Sequence, residues 1–260
     1  MINLISEFPT QTSFYEASVT AGQFGYQKIQ AKSGNSIKNL SYVIHASYNY
    51  NRGYRKHSTM KNYILNSKAQ LEIDPLTWIR FHISVASSPT ANDPGSLNID
   101  QANDDPKQAR DVNVEYQAGE SYTQNRIGIV YERKVTPILS FKGNLHFTNR
   151  EFANKLPFEN GGQVSLSRIF WGGRLMFINS SSLLKIPYYL SFGFELGDQK
   201  DKRQRYDNLE GTKGNKTFDQ LEQFQNIAFF IQQEWIIKKS FRITLGIRSD
   251  INELKATDMY

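Results

Sequence analysis

Apolar and polar side chains alternate one by one along most of this chain. Between Leu139 and Phe147, Leu139, Phe141, Gly143, Leu145 and Phe147 share one phase; Ser140, Lys142, Asn144 and His146 share the other. The pattern recurs with Ile79, Phe81, Ile83 and Val85 against Arg80, His82 and Ser84. It recurs again with Phe241, Ile243, Leu245 and Ile247 against Arg242, Thr244, Gly246 and Arg248. Residues two apart lie on one face of a strand, so each segment is predicted to be a strand with one apolar and one polar face. Such segments fall at 13–22, 25–33, 39–49, 61–74, 76–88, 120–135, 138–149, 162–180, 187–199, 222–237 and 241–253. Most exceed the ordinary strand length of about 5–6 residues and reach the roughly 9–11 that a tilted strand needs to cross a bilayer.

The connections carry a second pattern. Asp74-Pro75, Thr136-Pro137 and Lys238-Lys239 read as minimal turns, whereas 50–60, 89–119, 150–161 and 200–221 read as long polar connections. After the second strand, short and long alternate, with an intermediate connection at 181–186. The first connection, around Gly22–Gly25, is tight where a long one is due. An antiparallel barrel with one end in a confined compartment and binding loops at the other shows this asymmetry. A soluble sandwich with its functional loops at one end is the competing architecture.

Composition then removes other classes. The longest strictly apolar run is Ile227–Ile231, far short of the about 20 residues of a spanning helix. Aromatic residues (17 Phe, 14 Tyr and 3 Trp) are too frequent for a disordered chain. The absence of cysteine excludes disulfides, Cys-zinc sites and thiol catalysis. A net charge of +6, spread along the chain, points to no nucleic-acid partner. The polar phase holds Arg80, His82, Lys142, His146, Glu195, Arg242 and Arg248, too many charges for a dry core but acceptable in a wet lumen or on a sandwich surface. Tyr48, Tyr63, Trp78, Trp171, Tyr188 and Trp235 stand near strand ends, where amphipathic rings suit a membrane interface. The expected fold is all-β, an antiparallel transmembrane β-barrel. Residues 1–12, which lack the basic and apolar regions of a secretory signal, are expected to lead into it as a linker, and 13–260 to form a partial barrel. Ile79, Phe81, Phe141, Leu145, Phe192, Phe229 and Ile243 should face outward, with Lys142, His146, Glu195 and Arg242 inward.

Candidate chemistry is sparse. Gly211–Thr217 has the glycines of a phosphate loop, but Asn215 precedes Lys216 where that loop needs glycine, and the segment lies between strands. His45, His57, His82 and His146 form no pair at metal-ligand spacing, and Asp104-Asp105 lacks the glycine of a calcium loop. There is no G-x-S-x-G elbow, so no enzymatic centre is expected. The segment Asn51–Ser58, by contrast, gathers Arg52, Arg55, Lys56 and His57 around Tyr54. Forked arginine donors match carboxylate or phosphate oxygens, so this loop suits an anionic ligand or is simply a solvated basic loop.

Several segments together point to a family. Asn51–Ser58 (NRGYRKHS) resembles the aromatic-basic segment after the third barrel strand of TonB-dependent outer-membrane receptors. Pro94-Gly95-Ser96-Leu97 followed by Asp105-Pro106-Lys107-Gln108-Ala109 resembles a loop of the ferric-citrate-type members. Gly22-Gln23-Phe24-Gly25 is similar to their first hairpin, and Leu245–Asp250 to their recurring Gly-Leu-Arg-Tyr-Asp strand end, with Ser249 for the tyrosine. The resemblance covers about residues 13–254 and implies the first eleven strands of a plugged barrel of about 22 strands. It further implies a Gram-negative outer-membrane location among lipid, and import of a ferric siderophore or ferric citrate. Energy would come from an inner-membrane coupling protein acting through a plug domain, of which this sequence shows no recognisable trace. Arg52, Arg55, His57 and Arg110 are then the expected ligand-binding residues, in mobile extracellular loops. The chelator's own oxygens hold the iron, so neither a protein metal ligand nor a cofactor is implied. Four methionines supply little thioether for a copper receptor.

Strand parity also predicts a partial barrel, because bacterial single-chain barrels have even strand numbers. Two other readings stay open: a small passive porin-like or adhesin barrel, and a soluble carbohydrate-binding β-sandwich. Loop 89–119 would equally serve as a phage or toxin receptor.

Overall fold

The structure is a computed structural model that describes residues 12–238 and 240–260. Nearly all of the expected 1–12 linker, and Lys239 of the expected Lys238-Lys239 turn, lie outside the described residues. Every predicted segment forms a strand: β1 (Phe14–Ala21), β2 (Gln27–Ile37), β3 (Leu40–Asn51), β4 (Met60–Asp74), β5 (Thr77–Asn92), β6 (Gly119–Lys134), β7 (Leu139–Lys155), β8 (Gln163–Leu183), β9 (Ile186–Leu209), β10 (Thr212–Lys238) and β11 (Phe241–Asp258). Two short helices, α1 (Ile99–Asp104) and α2 (Asp111–Glu115), sit in the connection between β5 and β6. Every strand pairs antiparallel with its neighbours in sequence, giving one sheet ordered β1 to β11 without a crossover. β1 and β11 are its two edges.

Two expected connections are corrected. The long connection at 200–221 does not exist as a loop: β9 and β10 continue through it and join at Glu210-Gly211. Both turn residues have positive φ, 48° and 89°, which matches the twist of a two-residue hairpin. The intermediate connection at 181–186 is likewise a two-residue turn, Leu184-Lys185, also at positive φ. Connections 38–39, 75–76, 135–138 and 184–185 are thus uniformly short, and they share one end of the sheet.

Residues paired directly across the ladder share a face. One row runs Ile79, Tyr131, Gly143, Leu175, Phe194, Phe229, and the next Phe81, Ile129, Leu145, Gly173, Leu196, Ile227. Phe141, Phe192 and Ile243 share this apolar face, as the alternation requires. Almost nothing covers it: Leu145 is 62% exposed and Phe229 58%. Among the described residues the buried apolar set is Val43, Ala109, Ala118 and Ala228 alone. A sandwich would have packed these side chains against a second layer, and here there is none. A single layer with such a face is stable against hydrocarbon, not against water.

The other face is charged and paired. Glu132 accepts Arg80 at 2.8 Å and Lys142 at 3.3 Å. Glu195 accepts Arg174 at 2.7 Å and Arg248 at 3.2 Å, and Arg248 also reaches Asp250 at 2.8 Å. Arg242 meets Glu234 at 3.5 Å, and the His146 ring packs on Phe170 with centroids 5.0 Å apart. Lys142, His146, Glu195 and Arg242 therefore share the polar face.

Aromatic rings bound the apolar band. Tyr48 and Tyr63 (5.0 Å between centroids) and Trp171 stand toward the long connections, and the directly paired Tyr188 and Trp235 toward the short ones. From Trp171 to Ser181, the partner of Tyr188, is about ten residues. At about 3.3 Å per residue and a tilt of about 40° that spans about 25 Å, the height of an outer-membrane apolar band. Trp78 is the exception. It pairs with Glu132 on the polar face and lies under Lys134, 5.6 Å from its ring centroid.

Above the band, the β9–β10 hairpin carries its own lock. Asp219, 5% exposed, accepts Lys216 Nζ at 2.7 Å and Gln204 Nε2 at 2.8 Å. The Lys216 ammonium first, then the Gln204 amide, hold this carboxyl below the usual carboxylate range, against the opposing effect of burial. A depressed folded pKa stabilises fully above the unfolded value of about 3.9 and is lost as pH falls through the folded one. Hydrogen-exchange protection at the hairpin should therefore be flat from pH 7 to 5 and drop below about pH 4. Asp219→Asn should remove that step; a step of equal size in the variant would exonerate Asp219.

Candidate functional site

The connections at the opposite end, 22–26, 52–59, 93–118, 156–162 and 210–211, gather above the band. The longest begins with an Asx-type start to α1: Asn98 Oδ1 accepts Gln101 N–H at 2.8 Å, and Gln101 Oε1 accepts Asn98 N–H at 3.0 Å. These reciprocal bonds satisfy donors that a helix start leaves open. The chain then returns through α2, whose Asn113 is 1% exposed and donates to Asp93 Oδ2 at 3.2 Å. Gly95 has φ +68°, and a Cβ there would lie 2.5 Å from Asn113 Oδ1. Only glycine fits both the backbone and the space.

Arg55 joins 52–59 to 93–118. Its Nε donates to Gln108 O at 2.8 Å, Nη2 to Pro94 O at 3.1 Å, and Nη1 to Gly95 O. Lys56 N–H donates to Lys107 O at 2.7 Å, and His57 Nε2 lies 2.7 Å from Ala118 O. Phe24 packs edge-on against Tyr54, centroids 5.1 Å apart, which brings in the first connection. The loops holding Arg55 and Arg110 thus converge, and they are cross-linked where the sequence suggested mobility.

Asn208 ties in the remaining two. It is fully buried, donates to Tyr116 O (3.0 Å) and Leu156 O (2.9 Å), and accepts from Gln163 Nε2 (3.1 Å) and Gly211 N–H (2.8 Å). One amide thereby touches three connections and uses its whole hydrogen-bonding capacity. Sequence reading singled out neither Asn208 nor Asn113, because asparagine in a polar stretch looks like an ordinary turn residue.

The four sequence candidates divide into two pairs. Arg55 and His57 are half-buried and bonded to loop carbonyls, whereas Arg52 and Arg110 are exposed. Arg110 is placed by its own backbone, whose N–H donates to Pro94 O at 2.9 Å. Around them lie Tyr54, 46% exposed, and Lys56, whose ammonium is 3.9 Å from Asp105. Among the described residues no three of His, Asp and Glu gather to hold a metal. The arrangement offers forked cationic donors and a phenol on a rigid platform, suited to binding an oxygen-rich anion.

No family model matches the chain. Solved structures do. The ferric citrate transporter FecA, unliganded, superposes with a TM-score of 0.84 at 15% identity, over 98% of this chain and 40% of its own. The ferric-catecholate import receptor Fiu from E. coli K12, in its open form, gives 0.77 at 9% identity, over 97% and 46%. BauA, the ferric preacinetobactin receptor from Acinetobacter baumannii, gives 0.77 at 7%, over 97% and 43%. The chain spans less than half the length of each, and its fold is an eleven-strand arc of an outer-membrane β-barrel of that kind.

Proposed function

We propose that this arc belongs to an outer-membrane receptor that takes up a ferric chelate, ferric citrate or a ferric siderophore. One observation carries the reading: nearly the whole chain superposes on the ferric citrate transporter, with the cross-linked loops at the end where a ligand would enter. The apolar face would meet outer-membrane lipid. The ion-paired face would meet a plug domain, through which an inner-membrane protein would supply energy. The role is binding and passage, not catalysis. Arg52 and Arg110 would bind the chelate's outer oxygens, while Arg55 and His57 hold the loops that present them.

The test uses the intact receptor with ferric citrate and a ferric catecholate as probes. Arg52→Ala with Arg110→Ala should weaken the preferred chelate several-fold at low salt and less at high salt, since exposed charges are screened within about 8–10 Å. Arg55→Ala should instead raise hydrogen exchange in 93–118 and weaken binding with little salt dependence. Unchanged affinity in the Arg52/Arg110 double variant would remove both from the site.

A further inference from the structure

On the polar face, β6, β7 and β8 carry three arginines within two neighbouring rows of the ladder. Arg126 pairs with Thr148, and the next row of this face toward the loops runs Gln124, Arg150, Arg168, Asp201, Glu222. Both carboxylates of that row are taken. Arg168 grips Asp201 with a fork, Nε to Oδ1 at 2.8 Å and Nη2 to Oδ2 at 2.6 Å, and Arg203 holds Glu222 at 3.2 Å. Among the described residues, Arg126 donates only to a hydroxyl, Thr148 Oγ1 at 3.4 Å. The buried Nε of Arg150 meets no hydrogen-bond partner among them, and its guanidinium lies against the rings of Tyr122 and Phe152, 5.6 Å from each centroid.

A guanidinium nitrogen kept from water without a partner is costly, so two arginines lacking a carboxylate call for a reason. Their setting supplies one. Thr148 follows Phe147, the partner of Trp171 at the outer edge of the apolar band, so Arg126 stands just above that edge. Arg150 lies five residues short of Lys155, where β7 ends, or about 13 Å beneath the connections at a tilt of about 40°. Both therefore sit on the inner wall under the loop platform, on the way inward from Arg52 and Arg110. Diagonal neighbours across an antiparallel pair stand about 7–8 Å apart. Guanidinium forks at that spacing fit separate carboxylates of one polycarboxylate anion, and the two rings hold Arg150 in place to receive it.

We infer that Arg126 and Arg150, backed by Tyr122 and Phe152, form an inner anion station that takes the carboxylates of a chelate after the loops release it. The chelate passes from an exposed cationic pair to a sheltered one, and its own oxygens keep hold of the iron. The class selected is a polycarboxylate chelate rather than a catecholate, whose phenolic oxygens give an arginine no carboxylate to fork. The inference rests on the uptake reading and deepens it.

The test is chelate binding by the intact receptor in mild detergent, with ferric citrate and a ferric catecholate as probes. Arg150→Gln should weaken ferric citrate binding at least tenfold, and Arg126→Gln several-fold. Both losses should persist at high salt, unlike that of the Arg52/Arg110 double variant, because sheltered charges are screened less. Arg150→Lys keeps the charge without the fork and should regain only part of the affinity. Arg126 has no ring packing to lose, so Arg126→Gln decides the matter if Arg150→Gln fails to fold. Wild-type affinity for ferric citrate in the glutamine variants would overturn the station and give the two arginines to a carboxylate of the plug domain. So would a wild-type receptor that binds the catecholate and not the citrate. A receptor that binds neither probe fails the uptake reading itself, and the station with it.

Discussion

Asn208→Ala should release the loop platform more than any other single change at this end of the molecule. The substitution strands the carbonyl of Tyr116 and the N–H of Gly211 at a site with no exposure, and leaves the Leu156 carbonyl with the Phe158 N–H at 2.9 Å. A buried polar group without a partner costs about 1–3 kcal/mol, so the two stranded groups together predict about 2–4 kcal/mol after partial rescue by water. The loss should be local, since the ladders below Lys155 and Leu209 are untouched. Hydrogen exchange is the measurement: protection should collapse at 116–118, 156–163 and 208–211 together, with the β6–β9 ladder in the band unchanged. Collapse of one connection alone would show that Asn208 is not their common tie.

Leu145→Arg carries the second large effect. Leu145 lies in the central rows of the apolar face and is 62% exposed there. An arginine near the bilayer midplane costs about 2–4 kcal/mol, falling to about 0–1 kcal/mol at the interfaces. Asn149, on the same face four residues nearer the loops, supplies the control: Asn149→Arg should cost no more than about 1 kcal/mol. Denaturant titration of the intact protein folded into lipid vesicles gives both values. Equal costs at the two positions would mean that no hydrocarbon meets this face. In a sheet with water on this face, Leu145→Arg would be neutral or favourable.

The parts of this fold that could be read from the sequence are those where the two faces meet different solvents. Between Leu139 and Phe147, hydrocarbon on one side and water on the other force a strict alternation of residue types. Residues 200–221 lie above the band with water on both sides, so charges stand on both faces, Lys200 and Lys202 on one and Asp201 and Arg203 on the other, and two strand extensions looked like a loop. The helices of 93–118 were hidden for another reason. At six and five residues they have no periodicity to display, and the reciprocal Asn98–Gln101 pair was the one available signal. Within the site, the basic segment 52–59 was legible as chemistry, but the partners of Arg55 were not. They are backbone carbonyls about forty to fifty residues away, and a carbonyl leaves no mark in a sequence.

The strictly consecutive strand order bears on how such a wall is assembled. Each strand needs only the one made before it, so the ladder can lengthen by successive hairpins, like a zip fastener. The entropic toll of each join depends on the length of chain it must close. Closing 93–118, about 26 residues, costs about 2 kcal/mol more than closing Glu210-Gly211. The β5–β6 join is therefore the natural pause in the sequence of events, and the helices and Arg55 contacts of that connection shorten the distance its ends must search.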